Sequence, residues 1–151
     1  MASNTELSNA LVAAMLDNAV NSLLNEGTGP AIINIYSGSL PADCEAAETG
    51  TLLGTCVMNA TPFAAATDEA PGAQIAVNTV TDDADAVAGG TATHFRAYSS
   101  NAGTDASKLN CHIQGSAGEA ADSTDMTLDV KLIVQGASIS VTAWTINMPE
   151  S

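Results

Sequence analysis

Basic residues are almost absent from this sequence of 151 residues. Lysine and arginine together number three against 17 acidic residues, which gives a formal net charge of −14. Such a charge cannot supply the phosphate contacts on which nucleic-acid binding depends, and it repels anionic membrane surfaces. We therefore expect neither nucleic acid nor a membrane among the partners. We also expect free copies of the chain to repel one another.

Aromatic residues and paired cysteines are scarce as well. Aromatic residues make up 3% of the chain, and the three cysteines are an odd number without a closely spaced pair. We therefore expect neither a secreted disulfide framework nor a structural zinc site, and folding in a reducing cytosol is the simpler interpretation. No basic segment precedes the apolar stretch ALVAAML near the start, so a signal peptide is not expected.

The first 29 residues predict an amphipathic α-helix and a linker. Ser3 and Glu6 have the spacing of a capping box, and Gly27 provides a C-terminal stop. A broad apolar stripe and an opposite polar side follow the helical period, so the stripe should pack on a sheet or on a neighbouring subunit. The stripe comprises Leu7, Leu11, Met15, Leu16, Val20, Leu23 and Leu24, and the polar side comprises Asn9, Asp17, Asn21 and Asn25.

Residues 30–151 read as a succession of short β-prone runs separated by loops rich in Gly, Ala, Asp and Thr. This pattern predicts a mainly β protein, a single-domain antiparallel β-sandwich or jelly-roll-like barrel with one N-terminal amphipathic α-helix. Residues 1–29 would belong to the same domain or form a subunit contact. The seven runs are 31–38, 51–59, 73–81, 93–100, 109–115, 126–133 and 137–148.

The last two runs predict a C-terminal hairpin around a tight turn at Gln135–Gly136. In the first of them Leu128, Val130 and Leu132 share a face. Beyond residue 143 the apolar side chains change to the face that was polar. Either a β-bulge redirects the strand there, or this end is covered on both sides, which would place Trp144 near an interface.

The stretch 92–119 holds both histidines, and its two runs should pair as a β-hairpin. One face would carry Phe95 and Ala97, and the other a polar docking face with His94, Arg96, Tyr98 and His112. Cys111 is expected opposite the histidines, so that no nucleophile lies beside a base. The acidic stretches 82–85 and 122–125 lack the full spacing of a calcium loop, so we interpret them as solvated, with 82–90 a mobile link.

Several segments in order resemble a family of small structural proteins encoded by tailed bacteriophages and prophages. The segments are LSNALVAAMLDNAVNSL, IINIYSGSLPAD, GTLLGTCVM, THFRAYSS, GSAGEAADSTDMTLD and ISVTAWTINMP. We expect the matching positions to have packing and turn roles and not to form a binding site. They are Ile35, Tyr36, Gly38, Pro41, Gly50, Leu52, Leu53, Phe95, Arg96, Tyr98, Met148 and Pro149.

The resemblance implies a virion component on the capsid surface, made in the host cytoplasm. We expect a capsid cement (decoration) protein that forms a homo-oligomer, a trimer, and bridges capsomers by binding the major capsid protein. No catalytic, metal-binding or cofactor-binding residue is expected. The alternatives are a tail or neck component and a carbohydrate-binding or host-adhesion β-module. The candidate interface residues are Leu7, Leu11, Met15, His94, Arg96, Tyr98, His112, Trp144, Ile146 and Met148.

Overall fold

The computed structural model describes residues 7–26, 29–68, 72–99 and 111–149. The chain is mainly β with an N-terminal helix, which confirms the predicted fold class. The helix is continuous through α1 (Asn9–Met15), a π-helical turn (Leu16–Val20) and α2 (Asn21–Leu24). The cap is Ser8, whose hydroxyl accepts a hydrogen bond from an amide in the first turn. The predicted cap at Ser3–Glu6 and the stop at Gly27 lie outside the described residues.

Among the described residues, eight strands join in one sheet and two more form a small separate sheet. In the large sheet the order is β2-β1-β6-β7-β8-β10-β4-β3, and every neighbouring pair is antiparallel except β7 and β8. The small sheet pairs β5 with β9. The bounds are β1 (Ile32–Ser37), β2 (Thr51–Val57), β3 (Thr67–Asp68), β4 (Gly72–Ala76), β5 (Gly90–Thr91), β6 (His94–Tyr98), β7 (Cys111–Gly118), β8 (Met126–Leu128), β9 (Leu132–Ile133) and β10 (Val141–Pro149).

The large sheet curls over into two layers around an aromatic core. Trp144 of β10 lies 4.8 Å, centroid to centroid, from Phe95 of β6 and 4.8 Å from Phe63, both in edge-to-face geometry. Two strands separate β6 from β10 in the hydrogen-bonded order, so a flat sheet would hold these side chains about 14 Å apart. The short distance requires strong curvature. The two layers then enclose a common core, as a sandwich-like fold does.

The predicted single strand over 126–133 is wrong. Its first part is β8, which pairs with β10, whereas its last part is β9, which pairs with β5. The carboxylate of Asp129 accepts hydrogen bonds from the amides of Val130 and Ser140 and holds a turn between the two strands. Leu128 is consequently buried, while Val130 and Leu132 face solvent.

A bulge redirects β10, as one of the two sequence-based alternatives requires. The pairing of β10 with β8 shifts register between Val141 and Ala143, so the apolar side chains change face there. Trp144 therefore lies in the core at 3% exposure, and its assignment to an interface is wrong. The tight turn at Gln135–Gly136 is confirmed, because Gly136 has a φ of 82° and the Ala137 amide donates to the Val134 carbonyl. The predicted hairpin around it is wrong, because β9 before the turn pairs with β5 and not with β10.

The acidic stretch 82–90 is part of the fold, contrary to the expected mobile link. The backbone of Asp83 pairs with Ile139, and its carboxylate accepts a hydrogen bond of 2.7 Å from the Thr55 amide. That approach requires a glycine at position 54, because a Cβ there would lie 2.4 Å from the Asp83 carboxylate oxygen. The Asp83 carboxylate therefore bonds to the backbone of β2 and helps to hold that strand in place.

Replacing Trp144 with alanine tests whether the curled sheet depends on the aromatic core. We expect a loss of about 3–5 kcal/mol in the free energy of unfolding, because the indole fills the space between Phe63 and Phe95. Chemical denaturation measures it, with Leu40→Ala at an exposed apolar residue as the control. A Trp144→Ala loss as small as that of the control would contradict this description of the core.

Candidate functional site

The helix docks on its own chain through part of the predicted apolar stripe and also through the polar side. Leu16 and Leu24 of the stripe are buried in the core, as predicted. Asp17 accepts a hydrogen bond of 2.6 Å from the Ala66 amide, and Asn21 both accepts from and donates to the backbone of Phe63. Asn9 accepts from the Gly72 amide. The side opposite the stripe therefore also contacts the body of the chain. The buried helix residues are Val12, Leu16 and Leu24.

This orientation leaves an apolar outer helix face, defined by Leu11, Met15 and Leu23. Their side chains are 48%, 43% and 48% exposed. Asp17 is the only charged residue between positions 9 and 24, and its carboxylate points inward to the Ala66 amide. The outer helix face is thus both apolar and uncharged in a chain with a net charge of −14.

A second apolar surface, the outer β9 face, is defined by Val87, Leu132 and Val134. Their exposures range from 58% to 65%. Ile133, between Leu132 and Val134, is buried, so its neighbours on either side both point outward. The Gln135 side chain donates to the Val87 carbonyl, which holds residue 87 beside this strand. None of these three residues was among the predicted interface positions.

The predicted polar docking face on β6 is instead covered by the loop over residues 38–50. His94 and Arg96 are 0% and 1% exposed. Arg96 donates to the carbonyls of Cys44 and Ala46, and its Nη1 lies 3.7 Å from a carboxylate oxygen of Glu48. The predicted sharing of a face by His94, Arg96 and Tyr98 is correct. Their exposure was wrongly predicted, because the acidic loop folds back over Arg96 and bonds to it.

His94 lies against the same glutamate as Arg96, and we call Arg96, His94 and Glu48 the buried arginine cluster. The ring of His94 stacks on Tyr36 at 5.3 Å, its Nδ1 lies 3.0 Å from the Thr93 hydroxyl, and its Nε2 lies 3.3 Å from both Glu48 carboxylate oxygens. Every polar atom of the imidazole is therefore occupied inside the fold. The arrangement fixes the covering loop to the sheet and presents no ring nitrogen to a substrate.

A bulge places Cys111 next to Arg96, contrary to the predicted alternation. The pairing of β6 with β7 shifts register at Tyr98, which leaves His112 as the extra residue and turns Cys111 to the polar side. The Arg96 Nε donates to the Cys111 Sγ at 3.3 Å. His112 is half-buried, and its Nε2 has no hydrogen-bond partner within the described ranges.

Burial controls the protonation of the groups in and around the cluster. Burial opposes the charge on Arg96, but its hydrogen bond to Cys111 and the nearby Glu48 keep its pKa above the ordinary value. Burial raises the pKa of Cys111 to about 11 against the opposing effect of Arg96, and burial also raises the pKa of Tyr98. The Cys111 thiol is therefore protonated at neutral pH and is a poor nucleophile.

The remaining candidate interface residues, Leu7, Tyr98, Ile146 and Met148, are half-buried. The acidic stretch 122–125 has structural bonds, since Asp122 pairs with Lys131 at 2.6 Å and Asp125 accepts from the Ser116 amide. Across the described part of the chain, no group of three His, Cys, Asp or Glu residues is placed to hold a metal ion.

Comparisons with protein-family models, with curated proteins and with solved structures find no match to this chain. Of the helices that the structure describes, none is long and apolar enough to cross a membrane.

Replacing Arg96 with methionine tests the role of the buried arginine cluster. We expect a loss of about 3 kcal/mol or more in the free energy of unfolding, because Glu48 and two loop carbonyls lose their partner inside the protein. A glutamate-specific protease should also cleave the covering loop at Glu45 or Glu48 faster. The matched control is Lys131→Met, which removes an exposed cation and should change stability little. Equal stability of the two variants would contradict the role assigned to Arg96.

The buried thiols predict a stability that falls at alkaline pH. Burial raises the pKa of both Cys56 and Cys111 from 9.0 to about 11. The native state therefore retains protons that the unfolded chain releases above pH 9. Each thiol should make the unfolding free energy fall by about 1.4 kcal/mol per pH unit between 9 and 11, and contribute fully below that range. Urea titrations at several pH values measure this slope, and Cys56→Ala should reduce it. An unchanged slope in that variant would be the opposing result.

Proposed function

We propose that this chain is a structural virion protein of a tailed phage, a capsid cement protein that self-associates as a trimer and stabilises the head shell. The observation that carries the proposal is the outer helix face. Leu11, Met15 and Leu23 stay exposed while the polar residues of the same helix bond to the body of the chain. An exposed apolar surface of this kind is typical of protein–protein contact.

The charge of the chain favours a place on the outside of a shell. Seventeen acidic residues repel packaged DNA, so contact with the shell must come through apolar surface or basic capsid residues. Cement proteins add bonds across capsomer joints, which needs contact area and no reactive group. The buried, fully bonded state of His94 and Arg96 agrees with that requirement.

The aromatic residues favour this role over a carbohydrate-binding module. Sugar rings are commonly held by stacking on exposed aromatic faces. Of the five aromatic residues in the sequence, four are buried, and Tyr98 is half-buried beneath the guanidinium of Arg96 at 5.8 Å. The four buried ones are Tyr36, Phe63, Phe95 and Trp144. None of the five aromatic residues therefore presents a fully exposed ring for stacking.

Phage particles with and without the gene for this chain provide the test. We expect mass spectrometry of density-purified heads to find the protein in a fixed ratio to the major capsid protein. Heads that lack it should release DNA at a lower temperature, and addition of the purified protein should restore the wild-type temperature. Absence of the protein from heads, or its presence in tails alone, would contradict the proposal.

A further inference from the structure

Two of the three cysteines meet at the buried arginine cluster. Arg96 donates to the Cys44 carbonyl through Nη2 and to the Cys111 Sγ through Nε, the latter at 3.3 Å. Both cysteines are free thiols, with Cys44 half-buried on the covering loop and Cys111 buried on β7. We propose that Cys44 and Cys111 are an oxidation site, at which a disulfide bond forms and ties the covering loop to the sheet.

The two sulfur atoms are close enough to share a hydrogen bond. Two nitrogens of one planar guanidinium hold both cysteines, so the two residues lie beside each other along Arg96. Burial is the main cause of the raised pKa of Cys111, and Cys44 adds to it through charge and through a side-chain hydrogen bond. Cys44 lies outside every described strand, so its backbone can shift to the geometry of a disulfide without breaking strand pairing.

Cys56, the third cysteine, is held apart from this pair. Its Sγ donates to the Ile139 carbonyl at 3.5 Å inside the core, and its side chain is fully buried. Cys56 belongs to β2, and two strands separate β2 from β7 in the hydrogen-bonded order of the sheet. Cys56 therefore provides an internal control, a thiol that stays reduced while the other two are oxidised.

The difference in burial assigns each thiol to one step of the reaction. A small disulfide such as oxidised glutathione reaches half-buried Cys44, whose thiolate attacks one of its sulfur atoms and displaces one glutathione. Cys111 then attacks the Cys44 sulfur and displaces the second glutathione. Both displaced glutathiones take up the protons that the two protein thiols lose. Two protein thiols are thus oxidised, and one small disulfide is reduced to two thiols.

Arg96 assists the second step. Burial keeps Cys111 protonated at neutral pH, so it is a poor nucleophile toward an oxidant in solution. The attack on Cys44 is different, because the target sulfur already lies beside Cys111. The Arg96 Nε, which donates to the Cys111 Sγ, favours the thiolate that this attack requires.

The disulfide adds a covalent bond to a loop that is otherwise held by polar contacts. Arg96 donates to the Ala46 carbonyl, Gln114 donates to the Pro41 carbonyl, and Glu48 lies 3.7 Å from Arg96. A link between residues 44 and 111 also restricts the unfolded chain over a long loop, which stabilises the native state. The bond is a property of the purified chain. Only its timing rests on the proposed function, in which the chain folds in a reducing cytoplasm and the particle later enters an oxidising medium.

Counting free thiols in the purified chain tests the proposal. The chain is incubated with oxidised glutathione, then unfolded and labelled with N-ethylmaleimide. We expect the reduced wild type to take up three labels and the oxidised wild type one, at Cys56, with a cross-linked peptide pair that contains Cys44 and Cys111. After the same oxidation Cys44→Ser should take up two labels, and Cys56→Ala, the matched control, should take up none.

Stability and proteolysis test whether the bond ties down the loop. The oxidised wild type should have a Tm about 10 °C above that of the reduced form. A glutamate-specific protease should also cleave it more slowly at Glu45 or Glu48. Cys56→Ala should show both differences and Cys44→Ser neither. Each variant is compared with its own reduced form, so a change in its basal stability does not affect the result.

Several results would overturn the proposal. They are three labels after oxidation, a lasting mixed disulfide between Cys44 and glutathione, and a bond that joins two chains. A bond between Cys44 and Cys111 that leaves both the Tm and the cleavage rate unchanged would also overturn it, since the loop would then be held no more firmly. These measurements do not involve phage heads, so a failure here is separate from a failure of the proposed function.

Discussion

Hydrogen bonds from the helix to the backbone beside it fix how the helix is rotated, and the functional account depends on that rotation. The amides of Phe63, Ala66 and Gly72 donate to side-chain oxygens of the helix. A buried amide without a partner costs about 1–3 kcal/mol, so these bonds hold the polar side of the helix inward. Leucine and methionine side chains are consequently left in water. The exposure of these side chains follows from the hydrogen bonds between the helix and the rest of its own chain. It creates the surface that we assign to association.

The buried arginine cluster adds to the same outcome by removing a cation from the surface. Arg96 is one of three basic residues in the chain, and it bonds to the loop over 38–50 from inside the fold. Its charge balances Glu48 locally and is hidden from approaching molecules. The surface is left with a large net negative charge. Copies of the chain therefore repel each other except where apolar side chains replace charge, which restricts where they can meet.

Period-two and helical patterns in the sequence were sufficient for the fold class, the helix, most strands and the shared face of His94, Arg96 and Tyr98. They were insufficient where a long-range bond overrides the local pattern. The covering loop buries a face that reads as polar, and Asp129 divides what reads as one strand. The bulge at His112 moves Cys111 to the other face. Sequence periodicity also identified Leu11 and Met15 as interface candidates, but it could not find the outer β9 face, because short β9 has too few residues to show a pattern.

The most direct test of the central claim is the mass of the wild-type protein in solution as salt is raised. Apolar contact opposed by like charge should strengthen when the charges are screened, whereas contact through ion pairs should weaken. We predict that sedimentation equilibrium shows single chains at low ionic strength and an increasing fraction of the larger species as sodium chloride is raised. A mass of one chain at every salt and protein concentration would contradict the account, and so would an assembly that dissociates on addition of salt.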